Sequence, residues 1–133
     1  MEGANRTSVI IGGNLFVPVR NRTYDAGSYL YAAFSRTIGK TRLTVGGFHF
    51  SPNVVAVNAQ RGGGQFGVEH PLSSKFTLAT DWYTGRHTSG YFTPGVIFKP
   101  HSRVTGYAGY SIGNMAAGQG NHFFLLEVGY NFN

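Results

Sequence analysis

The chain has no cysteine, so neither a disulfide framework nor a thiolate metal site can form. Charged residues make up 12% of its 133 residues, about half the share that is usual in a soluble domain. No apolar run is long enough for a membrane-spanning helix, and no amphipathic helical pattern stands out. No signal peptide is visible, so the sequence neither shows nor excludes export.

Glycine and aromatic residues are abundant, with 20 glycines and 15% aromatic side chains. Along much of the chain, large apolar side chains alternate with small or polar ones, which is the period of a β-strand with two unlike faces. The end of the chain shows this best, because every second residue there is large and apolar. These residues are Phe124, Leu126, Val128, Tyr130 and Phe132.

The alternation predicts an all-β protein with eight strands in one domain over residues 1–133, in which residues 1–5 are a disordered start or an addition for expression. The predicted strands are 6–19, 28–38, 41–51, 63–72, 75–85, 90–99, 103–113 and 121–132. Short turns alternate with longer connections that are rich in turn-forming residues. The short turns are Gly39-Lys40, Ser73-Ser74 and Pro100-His101-Ser102.

One face of the predicted strands carries the large apolar side chains, and the other carries glycines and polar groups. An eight-stranded barrel has an interior that side chains only just fill, so the glycine-rich polar face suits the inside better. A soluble barrel with the faces exchanged would also have an exterior unusually poor in Lys and Glu. The apolar face is therefore expected to turn toward lipid.

The chain resembles the small eight-stranded outer-membrane barrels of bacteria in three features. Its last strand ends in aromatic residues, its strand count is even, and short turns alternate with long loops. That class includes the membrane domain of outer membrane protein A. The resemblance is architectural and implies an antiparallel up-and-down transmembrane β-barrel with short periplasmic turns and longer extracellular loops. It also implies a monomer in the bacterial outer membrane, in contact with membrane lipid or lipopolysaccharide. Two features depart from the pattern: Asn133 follows the last aromatic residue, and Pro94 interrupts a strand and must lose a ladder hydrogen bond unless a bulge accommodates it.

Ten aromatic residues of the apolar face fall near the strand ends, where a barrel meets the two membrane–water interfaces. They are Phe34, Phe66, Phe76, Trp82, Phe92, Phe98, Tyr110, Phe124, Tyr130 and Phe132.

The three acids predicted within strands, Glu69, Asp81 and Glu127, all point inward. The turn at Ser73-Ser74 is expected to place Glu69 opposite Ala79 and diagonally from Asp81. Two carboxylates in a narrow lumen repel, so we expect one of them to hold a proton or a cation to bridge them. Together with inward basic residues they define a predicted polar network in the lumen. Its members are Arg42, Glu69, Lys75, Asp81, Lys99, Arg103, Tyr107 and Glu127. Such a network suits a polar pore or a proton-linked site, but a structural ion-pair and hydrogen-bond network is favoured. Tyr107 is expected to lie opposite Glu127 and to bond to it.

Several apolar residues break the polar pattern of the inner face at the long-loop end. They are Phe16, Phe48, Phe50, Tyr83, Tyr91 and Phe123. They indicate either an apolar plug or small hydrophobic-ligand pocket at the outer mouth, or aromatic side chains that pack together beyond the bilayer.

The tripeptide His87-Thr88-Ser89 has the H-x-S spacing of barrel enzymes that deacylate lipid A. No acid follows it until Glu127, which is predicted to point into the lumen, so no enzyme activity is expected. The five histidines form no compact ligand set, and we expect no metal and no cofactor. Basic residues gather at both ends of the predicted barrel, which suits anionic headgroups and not nucleic acid.

The sequence therefore predicts a non-enzymatic outer-membrane barrel with a structural, adhesive or loop-recognition role and a largely filled lumen. Two alternatives stay open. The strands are the C-terminal part of a larger porin or transporter barrel, or they form a soluble, lipocalin-like barrel that binds a small ligand with its faces exchanged.

Overall fold

The computed structural model describes residues 5–20, 25–87, 89–115 and 122–132. The predicted start at residues 1–5 and the departure at Asn133 lie almost wholly outside these ranges. The strands are β1 (Thr7–Phe16), β2 (Gly27–Ile38), β3 (Thr41–Phe50), β4 (Gly62–Pro71), β5 (Phe76–Tyr83), β6 (Tyr91–His101), β7 (Val104–Gly113) and β8 (His122–Tyr130). Each overlaps its predicted segment, so the prediction of an all-β chain is confirmed for the described residues.

The eight strands form one antiparallel sheet in which each strand pairs with its neighbours in the sequence, from β1 to β8. This confirms the up-and-down order. Within the described residues no ladder joins β1 to β8, so the sheet is not closed. The same residues contain no helix that is long and apolar enough to cross a membrane.

Two of the short turns follow the predicted chemistry. Gly39 has a positive φ of 61° in the two-residue link between Ile38 and Thr41, a conformation that glycine adopts at little cost. In the next short turn the Ser73 hydroxyl oxygen accepts the backbone N–H of Phe76 at 3.1 Å. These turns fix the registers of β2 with β3 and of β4 with β5.

The third short turn differs from the prediction. β6 continues to His101, and its register with β7 shifts between Phe98 and His101. Pro94 causes no shift, since Phe92 and Gly95 keep the same register with β7 on either side of it. A bulge can absorb irregular pairing near the end of a strand, where fewer ladder bonds constrain the backbone. The bulge therefore lies near the turn and not at the proline.

The two faces of the sheet differ as the sequence predicts. Phe76, Trp82 and Val128 lie on the outer face, with 45%, 44% and 83% of their surface exposed. The most buried residues of the strands instead lie on the inner side, and they include Ala33 and Ala79. The polar, glycine-rich face is thus the concave one.

Glycine allows close packing on the inner side. A Cβ atom on Gly46 would clash with the carbonyl oxygen of Ala32 and lie 2.7 Å from Nε2 of Gln65. The ring of Tyr31 covers Gly12 on the neighbouring strand in the same way. Larger side chains at these positions would push the inner face apart.

Candidate functional site

The inner face borders a cavity of about 740 Å³ that is open to solvent and lined by residues from all eight strands. Glu69, Asp81 and Glu127 line it, and none of its lining residues is basic. Aromatic side chains line the end near the long loops. Side chains therefore do not occupy the whole interior, and the space falls in the size range of small-molecule sites.

One ion pair lies at the short-turn end of this interior. Arg42 and Glu69 are opposite each other in the register, and Nη1 lies 3.7 Å from Oε1. Both side chains are nearly half exposed, at 47% and 45%, so water screens the attraction.

The other predicted cations do not join this pair. Among the described residues, no acid forms an ion pair with Lys75, Lys99 or Arg103, which are all exposed at the strand ends. The structure therefore brings together part of the predicted polar network and leaves its basic members in solvent.

Two pairs of hydroxyl groups bridge neighbouring strands inside the sheet. Ser35 and Thr44 lie 2.8 Å apart across β2 and β3, and Thr93 and Ser111 lie 2.8 Å apart across β6 and β7. Nearby, the side-chain amide of Gln65 donates to a backbone carbonyl oxygen at 3.4 Å. Buried polar groups need such partners. The predicted network did not include these residues, although the two-residue period of a strand puts each of them on the polar face.

Tyr107 corrects one detail of the prediction. It lies opposite Glu127 in the register of β7 with β8, but no hydrogen bond joins the two side chains. Its ring instead lies over Gly95 and Gly109, so that a Cβ atom on either glycine would come within 2.6 Å of the phenol oxygen. Because the two glycines have no side chains, the ring has room on the side of β6 and lies away from β8.

A cluster of rings fills one side of the outer mouth. Phe48 and Phe50 are almost fully buried, and their centroids lie 5.5 Å apart. Tyr29 stacks on Phe50 at 4.8 Å, and Tyr83 lies 5.7 Å from Phe48. The edge of His87 meets both phenylalanine rings at 5.4 Å. The sequence prediction included neither Tyr29 nor His87 in this cluster.

The remaining predicted mouth residues form a second group. Tyr91 and Phe123 meet edge to face with their centroids 5.2 Å apart, and Phe16 lines the same cavity from β1. Of the predicted mouth residues, all but Phe48 therefore line the cavity.

The loop between β5 and β6 folds over the mouth and is held by side chains from other loops. The amide of Asn114 donates to the carbonyl oxygens of Tyr83 at 2.6 Å and Gly85 at 3.0 Å. The backbone N–H of Arg86 donates to Oε1 of Gln60 at 2.8 Å. Trp82 donates its indole N–H to the same asparagine at 3.1 Å. These bonds fix the loop above the cavity.

His87 is 2% exposed, and backbone groups engage both of its ring nitrogens. Nδ1 accepts the N–H of Ser89 at 3.2 Å, which leaves Nε2 to donate to the carbonyl oxygen of Thr84 at 3.0 Å. Burial lowers the pKa of His87, and the bond to Thr84 opposes this only in part. Neither nitrogen is free to take a proton from the Ser89 hydroxyl. Thr88, the middle residue of the predicted H-x-S motif, lies outside the described residues.

The ten aromatic residues predicted for the membrane interfaces all lie exposed on the outer face. Several pair across neighbouring strands. Phe76 and Phe98 stack at 4.7 Å, and Phe66 lies 5.8 Å from Trp82. Water solvates an apolar exterior of this kind poorly.

The side chains of the inner face can make polar and aromatic contacts with a bound molecule. Among the described residues, no group of three or more His, Cys, Asp or Glu side chains is placed to hold a metal ion. Thr93 and Ser111 of one hydroxyl pair and Glu69 of the ion pair line the cavity of about 740 Å³. Thr44 of the other hydroxyl pair lines a second cavity of about 380 Å³, which shares Tyr29, Asp81 and Tyr83 with the first. No family model, curated protein or solved structure matches this chain.

Proposed function

We propose that the chain forms a monomeric transmembrane β-barrel of a bacterial outer membrane, with a structural, adhesive or loop-recognition role and no catalytic activity. The observation that carries this proposal is the apolar outer face, on which large side chains of all eight strands are exposed. Hydrocarbon covers such a face at low free energy, whereas water does not.

The backbone geometry supports the same environment. The strands have 8 to 12 residues, which brackets the 9–11 that a tilted transmembrane strand needs. Antiparallel ladders satisfy the backbone groups between neighbouring strands, and hydrocarbon requires that every such group be satisfied. Closure of β1 on β8 would complete this requirement.

The expected partners are membrane lipids and lipopolysaccharide. Aromatic side chains near both strand ends suit the two interfaces, since their rings are apolar and Tyr and Trp also carry a polar group. Exposed Arg36, Lys40 and Lys99 near the short turns can attract anionic headgroups.

The absence of an enzymatic role is part of the proposal and rests on His87, whose nitrogens are both bonded to backbone groups. The role as part of a larger porin or transporter barrel remains the alternative. Single-channel recording separates the two: sustained conductance would favour the larger barrel.

Purification without detergent tests the proposal. We expect the folded protein to stay monodisperse only in detergent, and to migrate differently on a gel before and after heating, as the resemblance to small barrels implies. A monodisperse folded monomer in plain buffer would refute the membrane proposal.

The cavity favours a second candidate function, the binding of a small molecule with an apolar part. Phe50 and Tyr91 line its outer end, and its volume of about 740 Å³ suits a small ligand. Titration with a fluorescent apolar probe tests this function. Phe50→Ala should weaken binding, whereas Phe98→Ala on the outer face should not; equal binding by both variants would discard it.

A further inference from the structure

The sheet has two unpaired edges, β1 and β8, within the described residues. Each presents a row of backbone groups without ladder partners, and hydrocarbon makes such groups costly. This inference rests on the proposed membrane role, because the edges must be covered only if they lie in hydrocarbon. Each edge strand can cover the other. The first and last strands of an even, antiparallel series run in opposite directions, so β1 and β8 can form an antiparallel ladder.

The inner faces of the two edges restrict how they can pair. Phe16 of β1 lines the same cavity as Phe123, Leu125 and Glu127 of β8. Side chains alternate along a strand, so the even-numbered residues of β1 and the odd-numbered residues of β8 face inward. A pairing shifted by one residue would turn one apolar set into the lumen. Only registers that place an even residue opposite an odd one remain.

The strand tilt selects among these registers. A path of opposed residues runs around the inner face from one edge to the other. It passes through Ser8, Ser35, Thr44, Gly67, Asp81, Thr93, Ser111 and Phe123. The path starts at Ser8, near the short-turn end of β1, and ends at Phe123, near the long-loop end of β8. On closure, Phe123 must therefore lie opposite a residue further along β1 than Ser8. The number of residues between that position and Ser8 is the displacement of the ladder.

A displacement of about ten residues gives a tilt of about 41°, from a rise of about 3.3 Å per residue and a strand spacing of about 4.8 Å. Displacements of about eight or about twelve residues give about 35° or about 46°, at or beyond the limits of the usual range of about 35–45°. The central value is therefore a displacement of ten.

From this geometry, we propose that β1 and β8 close in the register that places Asn14 opposite Glu127 and Leu15 opposite Leu126. The Asn14 amide then donates to the Glu127 carboxylate inside the barrel, and Phe16 packs on Leu125 at the outer mouth. With a displacement of about eight residues, Asn14 would face Leu125 and Glu127 would face a glycine. The chemistry and the tilt thus select the same register.

Closure in this register gives Asn14 a role in the interior. It completes the cavity wall between Phe16 and Glu127, both of which line the cavity. It also supplies Glu127, which lies in solvent at the open edge, with a hydrogen-bond donor. Asn14 is therefore a positioning residue for the Glu127 carboxylate.

Disulfide trapping tests the register, and the chain offers a clean background because it has no cysteine. Leu15→Cys is combined in turn with Leu126→Cys, Phe124→Cys and Val128→Cys, all at exposed positions of the outer face. Directly opposed Cβ atoms lie about 4.5–5.5 Å apart and diagonal ones about 7–8 Å. A disulfide needs about 3.5–4.5 Å, so the opposed pair should react first.

The three double variants are folded in detergent micelles and oxidised, and thiol loss is followed together with non-reducing gel mobility. Rapid loss of both thiols within one chain for Leu15→Cys/Leu126→Cys, ahead of both shifted pairs, supports the register. Faster reaction of a shifted pair would overturn it and leave the membrane proposal intact. Disulfides between chains would instead assign the edges to a second copy, and no reaction in a heat-modifiable barrel would show an open seam; both outcomes refute the inference. A folded monomer that needs no detergent would refute the proposed function itself.

Discussion

Arg42 on β3 and Glu69 on β4 lie opposite each other at the short-turn end of the interior, with Nη1 3.7 Å from Oε1. Both side chains are nearly half exposed. An ion pair that water reaches contributes little to stability, because solvent screens the charges and the two long side chains lose conformational freedom. The pair therefore orders this end of the lumen more than it stabilises the fold.

The coupling between these two residues should be small. A double-mutant cycle with Arg42→Gln and Glu69→Gln, measured by unfolding in detergent, should give a coupling free energy of about 0.2–1 kcal/mol. Arg103→Gln serves as the matched control, since Arg103 forms no ion pair with Glu69, and should show no coupling. A coupling of several kcal/mol would mean that the pair is buried and not screened.

His87 should make the outer mouth sensitive to pH. Burial lowers its pKa, so the folded state favours the neutral ring, whose Nδ1 accepts the Ser89 N–H. This contribution to stability is present above the ordinary pKa of about 6.5 and is lost as the pH falls through the lowered value. The protection factor of the Ser89 amide, which is its exchange rate corrected for the intrinsic pH dependence of amide exchange, should therefore fall on acidification. In His87→Gln that pH dependence should disappear; an unchanged profile would show that another group controls the loop.

Gly46 and Gly47 should differ sharply although they are neighbours. Gly46 faces inward, where a Cβ atom would clash with the Ala32 carbonyl oxygen, whereas at Gly47 the nearest atom would lie 3.6 Å away. Gly46→Val should lower the free energy of unfolding by about 1–3 kcal/mol through overpacking. Gly47→Val, the matched control, should have little effect. Equal effects in detergent unfolding would contradict the assignment of inner and outer faces.

Alternation in the sequence predicted most of the backbone. It placed each strand within a few residues, and the turn at Ser73 set the register in which Glu69 faces Ala79. These features are local, because the period of a strand and the chemistry of a tight turn depend on neighbouring residues.

Features that depend on distant contacts were not predictable in this way. His87 lies in a long loop without a period, and its burial depends on Phe48 and Phe50 from another strand. Lys75 points inward by alternation but lies in a turn, where water solvates its charge. The direction of the Tyr107 ring depends on the space above Gly95, which no pattern within β7 reveals.

Trp82 provides the most direct test of the central claim, that the outer face meets hydrocarbon. It is the only tryptophan in the chain and lies on the outer face beside Phe66. In lipid vesicles with brominated acyl chains its fluorescence should be strongly quenched. A control that carries Trp82→Phe and Ile97→Trp, with the new ring at the cavity, should be quenched far less. Equal quenching of both proteins, or none for Trp82 in vesicles that hold the folded protein, would contradict the account.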